Sequence, residues 1–313
     1  MKRKRISKAQ LSSLPLSPRE EEIVKAVYEY RFATAQDITH LLLSKGSLTY
    51  VRGRMTALSG GRDYQERQLL FRFPLPTPSP GSRERVYTLG ASGRELLASM
   101  GLSVDWYYRP SQTGRLNRSH LLHQLLLTRF VCAAYYWSRH HTDYALVDSR
   151  LCYELARNPL LKAHEKKGQS ATSPAAIPDA WLLFQRLSDG AHFPVLLEVD
   201  RGTEYQERFK SHLKARLEFI QSGDYERMFG TPAVIIAYVT TGQVPQYAET
   251  RRKTMCAWTM EVLAELEVKG WAGVFRFTSA GVFETLYSQV QALFTEALWY
   301  RPDSVTPVPL LTT

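Results

Sequence analysis

The sequence of 313 residues has few cysteines and no long hydrophobic run, and each absence excludes a class of protein. Cys132, Cys152 and Cys256 are widely spaced, and none belongs to a CxxC pair. We therefore expect no disulfide framework and no thiolate zinc site, in a cytoplasmic protein. No apolar run approaches the roughly 18–20 residues that cross a bilayer. The basic start MKRKRISKAQ lacks the apolar segment of a secretory signal, so we expect no membrane partner.

Several catalytic signatures are also missing. The sequence contains no glycine-rich phosphate loop, no GxSxG motif and no zinc ribbon. These motifs would place a nucleotide phosphate, a nucleophilic serine or a structural metal ion. ATPase, serine-hydrolase and zinc-finger functions therefore have no support in the sequence.

The net charge of +10 is confined to the first part of the chain. Residues 1–118 contain 20 Lys and Arg against 10 Asp and Glu, whereas residues 119–313 contain 20 of each. A basic module joined to a neutral one indicates that the first module binds a polyanion. A basic tail that only maintains solubility is the alternative.

The basic module shows the signals of three short helices, a β-hairpin and a fourth helix. Ser17 and Pro18 favour the start of the first helix, and the second and third are predicted over residues 35–43 and 48–58. Two strand-like runs, QLLFRF and RERVYTL, flank the tip PLPTPSPGS, and GASGRELLASMG follows as a helix. This order is typical of a winged helix-turn-helix, in which the third helix enters the major groove of DNA.

Arginine predominates where such a fold contacts DNA. Arginine binds phosphates and guanine edges through paired hydrogen bonds, so we expect DNA contacts here, with a solvated helix face as the alternative. The candidate DNA-binding residues are Tyr50, Arg52 and Arg54 on the third helix, Arg62 and Arg67 beyond it, and Arg72, Arg83 and Arg85 on the wing.

The neutral module is predicted to alternate helices and strands in the order α-β-β-β-α-β, followed by α-β. Asp179 opens the second strand, DAWLLFQRL, and Glu198 and Asp200 end the third, HFPVLLEVD. The side chains of Glu198 and Asp200 share one face of the strand, because successive residues of a strand alternate between faces. Two carboxylates held this close repel each other unless a cation lies between them.

This order of elements and acids resembles the PD-(D/E)xK nuclease superfamily. Pro178–Asp179 matches the PD element, and Glu198–Val199–Asp200 stands at (D/E)xK with aspartate in place of the lysine. The resemblance implies that Asp179, Glu198 and Asp200 are catalytic residues and ligands of Mg²⁺ or Mn²⁺, in a metal-dependent endodeoxyribonuclease. Lys214 or, as second choice, Lys210 would supply the missing lysine, since both share a face of the next helix.

Two alternatives to an active nuclease stay open. The missing lysine favours a nuclease-like domain that binds metal poorly or does not cut. A plain salt-bridge network is the other alternative, in which Asp179 pairs with Arg186 or Arg201 while Glu198 and Asp200 bracket Arg201.

A narrower resemblance spans roughly residues 18–280. The segments YTLGASGRELL, Ser119–His120 at a helix start, PDAW, and LLEVDRGTE before a lysine-bearing helix are similar to the replication-relaxation family of plasmid and mobile-element proteins. The ExDRGT piece is the most specific. The resemblance implies a DNA-binding role in replication or mobilisation of extrachromosomal DNA. DNA and replication or mobilisation proteins are the implied partners, and the alternative is an endonuclease guided by its winged helix.

The predicted class is α/β overall, a winged helix-turn-helix followed by a PD-(D/E)xK-like α-β-β-β-α-β domain. The oligomeric state does not follow from the sequence, and a mobile loop is expected at residues 163–173. The predicted domains are a basic flexible tail over residues 1–17, the winged helix over 18–105, a connector over 106–118, the nuclease-like domain over 119–300, and a flexible C-terminal tail over 301–313.

Overall fold

The structure, a computed structural model, divides into two compact units, Met1–Tyr136 and Trp137–Thr313, called unit 1 and unit 2 below. The class is mixed α/β, as predicted, with helices in both units and one large mixed sheet. No helix in the described part of the chain is both long and apolar enough to cross a membrane. The structure describes residues 16–43, 45–60, 68–74, 84–109, 118–158, 177–202, 204–241, 245–279 and 290–311.

Unit 1 contains the predicted helices and strand pair, together with a short strand, β1 (Ala33–Thr34), that is not predicted from the sequence. The boundary between the units falls inside its last helix, α5. In chain order the described elements are α1 (Pro18–Tyr30), β1 (Ala33–Thr34), α2 (Ala35–Leu42), α3 (Leu48–Leu58), β2 (Leu70–Pro74), β3 (Arg85–Leu89), α4 (Ala91–Ser99) and α5 (Arg118–His140).

Capping boxes fix the first two helices. The Ser17 backbone N–H donates to Glu20 Oε2 at 2.9 Å, and the Glu20 N–H donates to Ser17 Oγ at 3.3 Å. Thr34 and Asp37 repeat the arrangement at the start of α2, with the Asp37 N–H donating to Thr34 Oγ1 at 3.2 Å. Such caps satisfy N–H groups that the first turn leaves unpaired. Helix α3 differs, since the side chain of its N-cap residue, Ser47, makes no capping hydrogen bond.

The strands of unit 1 form an antiparallel sheet in the order β1-β3-β2. Its core joins apolar faces of the helices to the sheet. Gly93 lets α4 lie close to the sheet, because a Cβ there would collide with the Leu69 carbonyl oxygen. The core includes Ile23, Val27, Ile38, Val51, Met55, Leu70, Leu89 and Leu97, all at most 5% exposed.

Unit 2 is built on a seven-stranded sheet. Its elements after α5 are β4 (Tyr144–Leu151), α6 (Cys152–Leu155), β5 (Ala180–Arg186), β6 (His192–Asp200), α7 (Gln206–Gln221), α8 (Asp224–Phe229), β7 (Ile235–Thr240), α9 (Pro245–Glu265), β8 (Phe275–Ser279), α10 (Val290–Thr295), β9 (Trp299–Tyr300) and β10 (Pro307–Val308).

The sheet has the order β10-β9-β8-β7-β6-β5-β4. Strands β4, β5 and β6 pair antiparallel, whereas β6, β7 and β8 run parallel. Parallel neighbours need crossover helices, and α7 and α9 are the long helices that connect β6 to β7 and β7 to β8. Leu213 of α7 and Leu263 of α9 pack in one core with Leu196, Tyr238 and Phe277 of the sheet. The carboxyl ends of the three parallel strands therefore share one edge of the sheet.

The last described residues, up to Leu311, are part of the folded unit. Pro307–Val308 pairs with Trp299–Tyr300, and Leu310 and Leu311 are buried. The sequence predicts a flexible tail over residues 301–313. Most of the predicted tail 1–17, part of the connector 106–118 and the loop 163–173 lie outside the described residues.

Candidate functional site

The exposed face of α3 carries the first candidate residues. Val51, Met55 and Leu58 are buried on the opposite side of the helix, so Tyr50, at 48% exposed, and Arg52 face solvent. Arg54 is held differently. Its Nη1 lies 3.4 Å from Glu20 Oε1, and its guanidinium lies 5.8 Å from the centre of the Tyr50 ring. Part of the charge of Arg54 is therefore used within the fold.

One hydrogen bond ties α3 to the β2–β3 pair. The hydroxyl groups of Thr56 and Tyr87 lie 3.3 Å apart. Arg52 stands one helical turn before Thr56 and on the same side of α3. Tyr87 pairs with Arg72 across the strands, so Arg72 lies on the sheet face that meets the helix.

Arg85 extends the same face of the sheet. It pairs with Pro74, and Arg72 and Arg85 are both exposed. Arg52, Arg72 and Arg85 make no ion pair with any described residue. We call Tyr50, Arg52, Arg72 and Arg85 the basic surface of unit 1. Arg62, Arg67 and Arg83, also predicted to contact DNA, lie outside the described residues.

The second candidate group lies at the shared edge of the sheet in unit 2. Glu198 and Asp200 are at the end of β6, and Asp179 directly precedes β5, which pairs with β6. Asp179 Oδ2 accepts a hydrogen bond of 2.8 Å from the backbone N–H of Val199, between the two other acids. The structure thus brings the three predicted acids to adjacent strand ends.

An arginine of α7 neutralises Glu198. Arg216 is 3% exposed, forms an ion pair with Glu198 through Nη2, and donates from Nη1 to the Tyr238 hydroxyl at 2.9 Å. Burial lowers the pKa of Arg216, but the combined attraction of Glu198, Tyr238, Asp179 and Glu204 outweighs it and the net pKa is raised. Burial also raises the pKa of the Tyr238 hydroxyl. Arg216 therefore stays charged, as a buried partner of Glu198.

A second arginine, from α9, binds Asp200 with two nitrogens. Arg251 Nε lies 2.7 Å from Asp200 Oδ2, and its Nη2 lies 3.1 Å from Oδ1 and 2.8 Å from the Glu204 carbonyl oxygen. The left-handed backbone of Gly202, with φ of 71°, lets its N–H donate to Asp200 Oδ2 at 3.0 Å. Asp200 is 8% exposed, so this carboxylate is closely satisfied by protein groups.

The two predicted lysines contact acids of α9. Lys210 Nζ lies 2.5 Å from Glu261 Oε2, and Lys214 Nζ lies 2.5 Å from Glu265 Oε1. The hydrogen bond that Lys210 donates to Glu261 is the main cause that raises the pKa of Lys210. In this arrangement both ammonium groups serve contacts between α7 and α9.

The three acids do not, as arranged, fit a divalent metal ion. Among the described residues, no group of three or more His, Cys, Asp or Glu side chains is placed to hold one. Arg216 forms an ion pair with Glu198, and Arg251 forms one with Asp200. These guanidinium groups contact the carboxylate oxygens that a metal ion would need. A Mg²⁺ or Mn²⁺ site at Asp179, Glu198 and Asp200 stays a prediction.

Arg216 and Arg251 are the residues that sequence reasoning missed. A signal for Arg216 exists, because it shares a buried helix face with Phe209, Leu213 and Leu217. A charged residue within such an apolar pattern indicates a buried partner. No comparable pattern indicates Arg251. Arg186, one predicted partner of Asp179, pairs with Asp189 at 2.6 Å in the β5–β6 turn.

Comparison with known proteins identifies one family. The model of the replication-relaxation family matches residues 24–235, from α1 to the first residue of β7, and confirms the resemblance found in the sequence. The match includes the basic surface of unit 1 and the acids of unit 2, whereas Arg251 lies beyond it. Searches of curated proteins and of solved structures found no match.

Proposed function

Because the chain belongs to the replication-relaxation family, we propose that it is a DNA-binding protein acting in replication or mobilisation of plasmid or mobile-element DNA. In this proposal unit 1 is a winged helix-turn-helix that binds duplex DNA, with α3 in the major groove and the β2–β3 pair against the phosphates. Proteins of replication or mobilisation that act on the same DNA are the protein partners that this role implies.

The hydrogen bond between Thr56 and Tyr87 is the observation that carries this proposal. It joins α3 to the β2–β3 pair, so that Arg52 of the helix and Arg72 of the strand lie on either side of this hydrogen bond. Phosphate contacts from two elements fix the orientation of a protein on DNA, and side chains of the inserted helix then reach base edges. The core of unit 1 supports α3 from behind through Val51 and Met55.

Unit 2 has a nuclease-like fold in this proposal but a binding or supporting role. Antiparallel β4, β5 and β6 followed by parallel β7 support a PD-(D/E)xK-like arrangement. The ion pairs of Glu198 with Arg216 and of Asp200 with Arg251 support a domain that has lost cleavage. In each pair the arginine neutralises a carboxylate, so the repulsion between Glu198 and Asp200 is relieved without a metal ion.

Binding of labelled duplex DNA by the full chain tests the proposal. We expect Arg52→Ala to weaken binding by about 1–3 kcal/mol if Arg52 reads base edges. Arg72→Ala should weaken binding uniformly across sequences and lower the slope of log K against log salt by about 0.9. The matched control is Arg227→Ala, an exposed arginine of unit 2 that is 64% exposed. Unchanged binding by the Arg52 and Arg72 variants, or an equal loss in the control, contradicts the proposal.

A Mg²⁺-dependent or Mn²⁺-dependent endonuclease is the second candidate function. The meeting of Asp179, Glu198 and Asp200 at adjacent strand ends favours it. Thermal unfolding with and without Mn²⁺ separates the two candidates, because a bound ligand stabilises by RT ln(1 + [L]/Kd). We expect no Mn²⁺ shift in the wild type. A shift that disappears in Glu198→Gln, together with nicking of plasmid DNA, would favour the endonuclease instead.

A further inference from the structure

Two tyrosines of unit 2 are far more exposed than aromatic side chains usually are. Tyr205 is 83% exposed and Tyr247 is 68% exposed, the highest values for aromatic side chains in the described part of the chain. Tyr225 and Tyr238 of the same unit are at most 4% exposed. Leaving such large rings in water forgoes the burial that stabilises the fold. This exposure suggests a use outside the fold.

The backbone brings both tyrosines to the edge of the sheet where the parallel strands end. Tyr205 follows β6 and occupies the N-cap position of α7 without a side-chain capping bond, and Tyr247 lies in the first turn of α9, after β7. Strands β6 and β7 are neighbours, with Asp200 paired to Thr240. Both tyrosines therefore stand at the starts of helices that follow adjacent strands.

Arg251 holds the two positions together. It lies one turn after Tyr247 in α9, and it donates to the carbonyl oxygen of Glu204, the residue before Tyr205, at 2.8 Å. A backbone bond of 2.7 Å from the Thr241 N–H to the Asp200 carbonyl oxygen closes the same edge. These bonds brace the backbone at the two positions, which lowers the ordering that binding requires.

From this placement we propose that Tyr205 and Tyr247 form a surface for single-stranded DNA, on which the rings stack against bases. Stacking needs base faces, which a duplex hides between its pairs and a single strand offers. Arg208, one turn after Tyr205, pairs only at 3.7 Å with Glu204 Oε1 and is 60% exposed, so its guanidinium can turn to the phosphates of the strand. Neither tyrosine side chain makes a hydrogen bond or ring contact with a described residue.

The composition of this edge favours nucleic acid over a protein partner. Tyrosine and arginine are enriched in protein interfaces too, but there they lie within a largely apolar, desolvated core. Leu187 and Leu266, exposed aliphatic side chains of unit 2, lie in the β5–β6 turn and after the end of α9, away from this edge. An aromatic pair with an adjacent arginine is the usual make-up of a surface that binds single strands without sequence preference.

This proposal rests on the proposed function in so far as both concern DNA, but its test is separate. Replication and mobilisation of plasmid DNA both expose single strands. Duplex binding by unit 1 depends on Arg52 and Arg72, whereas single-strand binding depends on Tyr205 and Tyr247. Loss of one activity without the other therefore shows which proposal has failed.

The experiment is titration of a fluorescently labelled oligothymidine with the full chain at raised salt, with fluorescence anisotropy as the measure of binding. We expect Tyr205→Ala and Tyr247→Ala each to weaken binding by about 5- to 100-fold. Tyr205→Phe and Tyr247→Phe should retain the affinity within about twofold, because a phenyl ring also stacks. Leu187→Ala, which removes an exposed apolar side chain elsewhere in unit 2, is the matched control and should bind like the wild type.

Stability and duplex binding complete the test. The alanine variants should unfold at the temperature of the wild type, since the rings are exposed, and they should bind duplex DNA unchanged. Oligothymidine binding that survives Tyr205→Ala together with Tyr247→Ala would overturn the proposal. So would an equal loss in the phenylalanine variants, an equal loss of duplex binding, or a change of self-association without a change of oligothymidine binding.

Discussion

The two units of the protein use arginine in different ways. In unit 1, Arg52, Arg72 and Arg85 are exposed and make no ion pair with a described residue. In unit 2, Arg216 and Arg251 are largely buried and bind the carboxylates of Glu198 and Asp200. The first arrangement leaves positive charge for an external polyanion, and the second consumes it within the fold.

The comparison shows what net charge does and does not indicate. The excess of Lys and Arg over Asp and Glu lies within residues 1–118, and the exposed arginines of the basic surface lie there too. Unit 2 is rich in arginine as well, but its charges are balanced by partners. The arginine content of a unit is therefore a poor indicator of DNA contact. An arginine side chain that is exposed and has no ion-pair partner in the fold is a better one.

Removing the most buried arginine should have the largest effect on stability. Arg216→Met leaves the carboxylate of Glu198 without its partner, and breaking a buried pair in this way costs about 3–5 kcal/mol. The free energy of unfolding in urea measures the loss. Arg227→Met is the control, since Arg227 is 64% exposed and its pair with Asp224 should contribute little.

A double variant sharpens this first prediction. In Glu198→Leu with Arg216→Met, both charges are replaced by apolar groups, and much of the lost stability should return. A loss below about 1 kcal/mol in Arg216→Met would mean that the Glu198 carboxylate is solvated by water or paired with another cation. The arginines of unit 2 would then differ less from the exposed arginines of unit 1.

The second prediction concerns the pair of parallel hydrogen bonds, or fork, that Arg251 donates to Asp200. Arg251→Lys keeps the charge but cannot reproduce the two parallel hydrogen bonds, so we expect a loss of about 1–3 kcal/mol in the free energy of unfolding. Arg186→Lys is the matched control. Arg186 makes the same kind of fork with Asp189, at 2.9 and 2.6 Å, but in an exposed turn. Equal losses in both variants would show that burial does not decide the strength of these pairs.

Local signals in the sequence predict most of the regular elements. The apolar spacing of α3 and the apolar run of β6 predict both elements with the bounds that the structure has. The capping residue Ser17 marks the start of α1. Such signals act within a turn or a strand, so they can be read without knowing the tertiary fold.

Elements without a local pattern are missed. Strands β9 and β10 have two residues each, and α8 has six, too few to show a period. The chain around β10 is predicted to be a flexible tail because the burial of Leu310 and Leu311 depends on tertiary contacts.

The candidate site divides in the same way. The pattern of β6 places Glu198 and Asp200 on one face, but their partners depend on how helices pack. Arg251 lies 51 residues after Asp200 in the chain. The lysines Lys210 and Lys214 show the limit of helix spacing, because it predicts their shared face but not the acids of α9 that they contact.

The smallest expected effect tests the comparison inside unit 1. Arg54 stands two residues after Arg52, but it is only 43% exposed and contacts Glu20 at 3.4 Å. Arg54→Ala should cost at most about 1 kcal/mol of stability, since the Arg54 guanidinium is partly exposed and the buried Glu20 carboxylate keeps its bonds to Ser17. It should also weaken duplex DNA binding less than Arg52→Ala, because part of its charge is already paired. Anisotropy titrations of both variants measure the difference. If Arg54→Ala weakens binding more than Arg52→Ala, the contact with Glu20 orients Arg54 toward DNA. An ion pair within the fold would then not show that an arginine is prevented from contacting DNA.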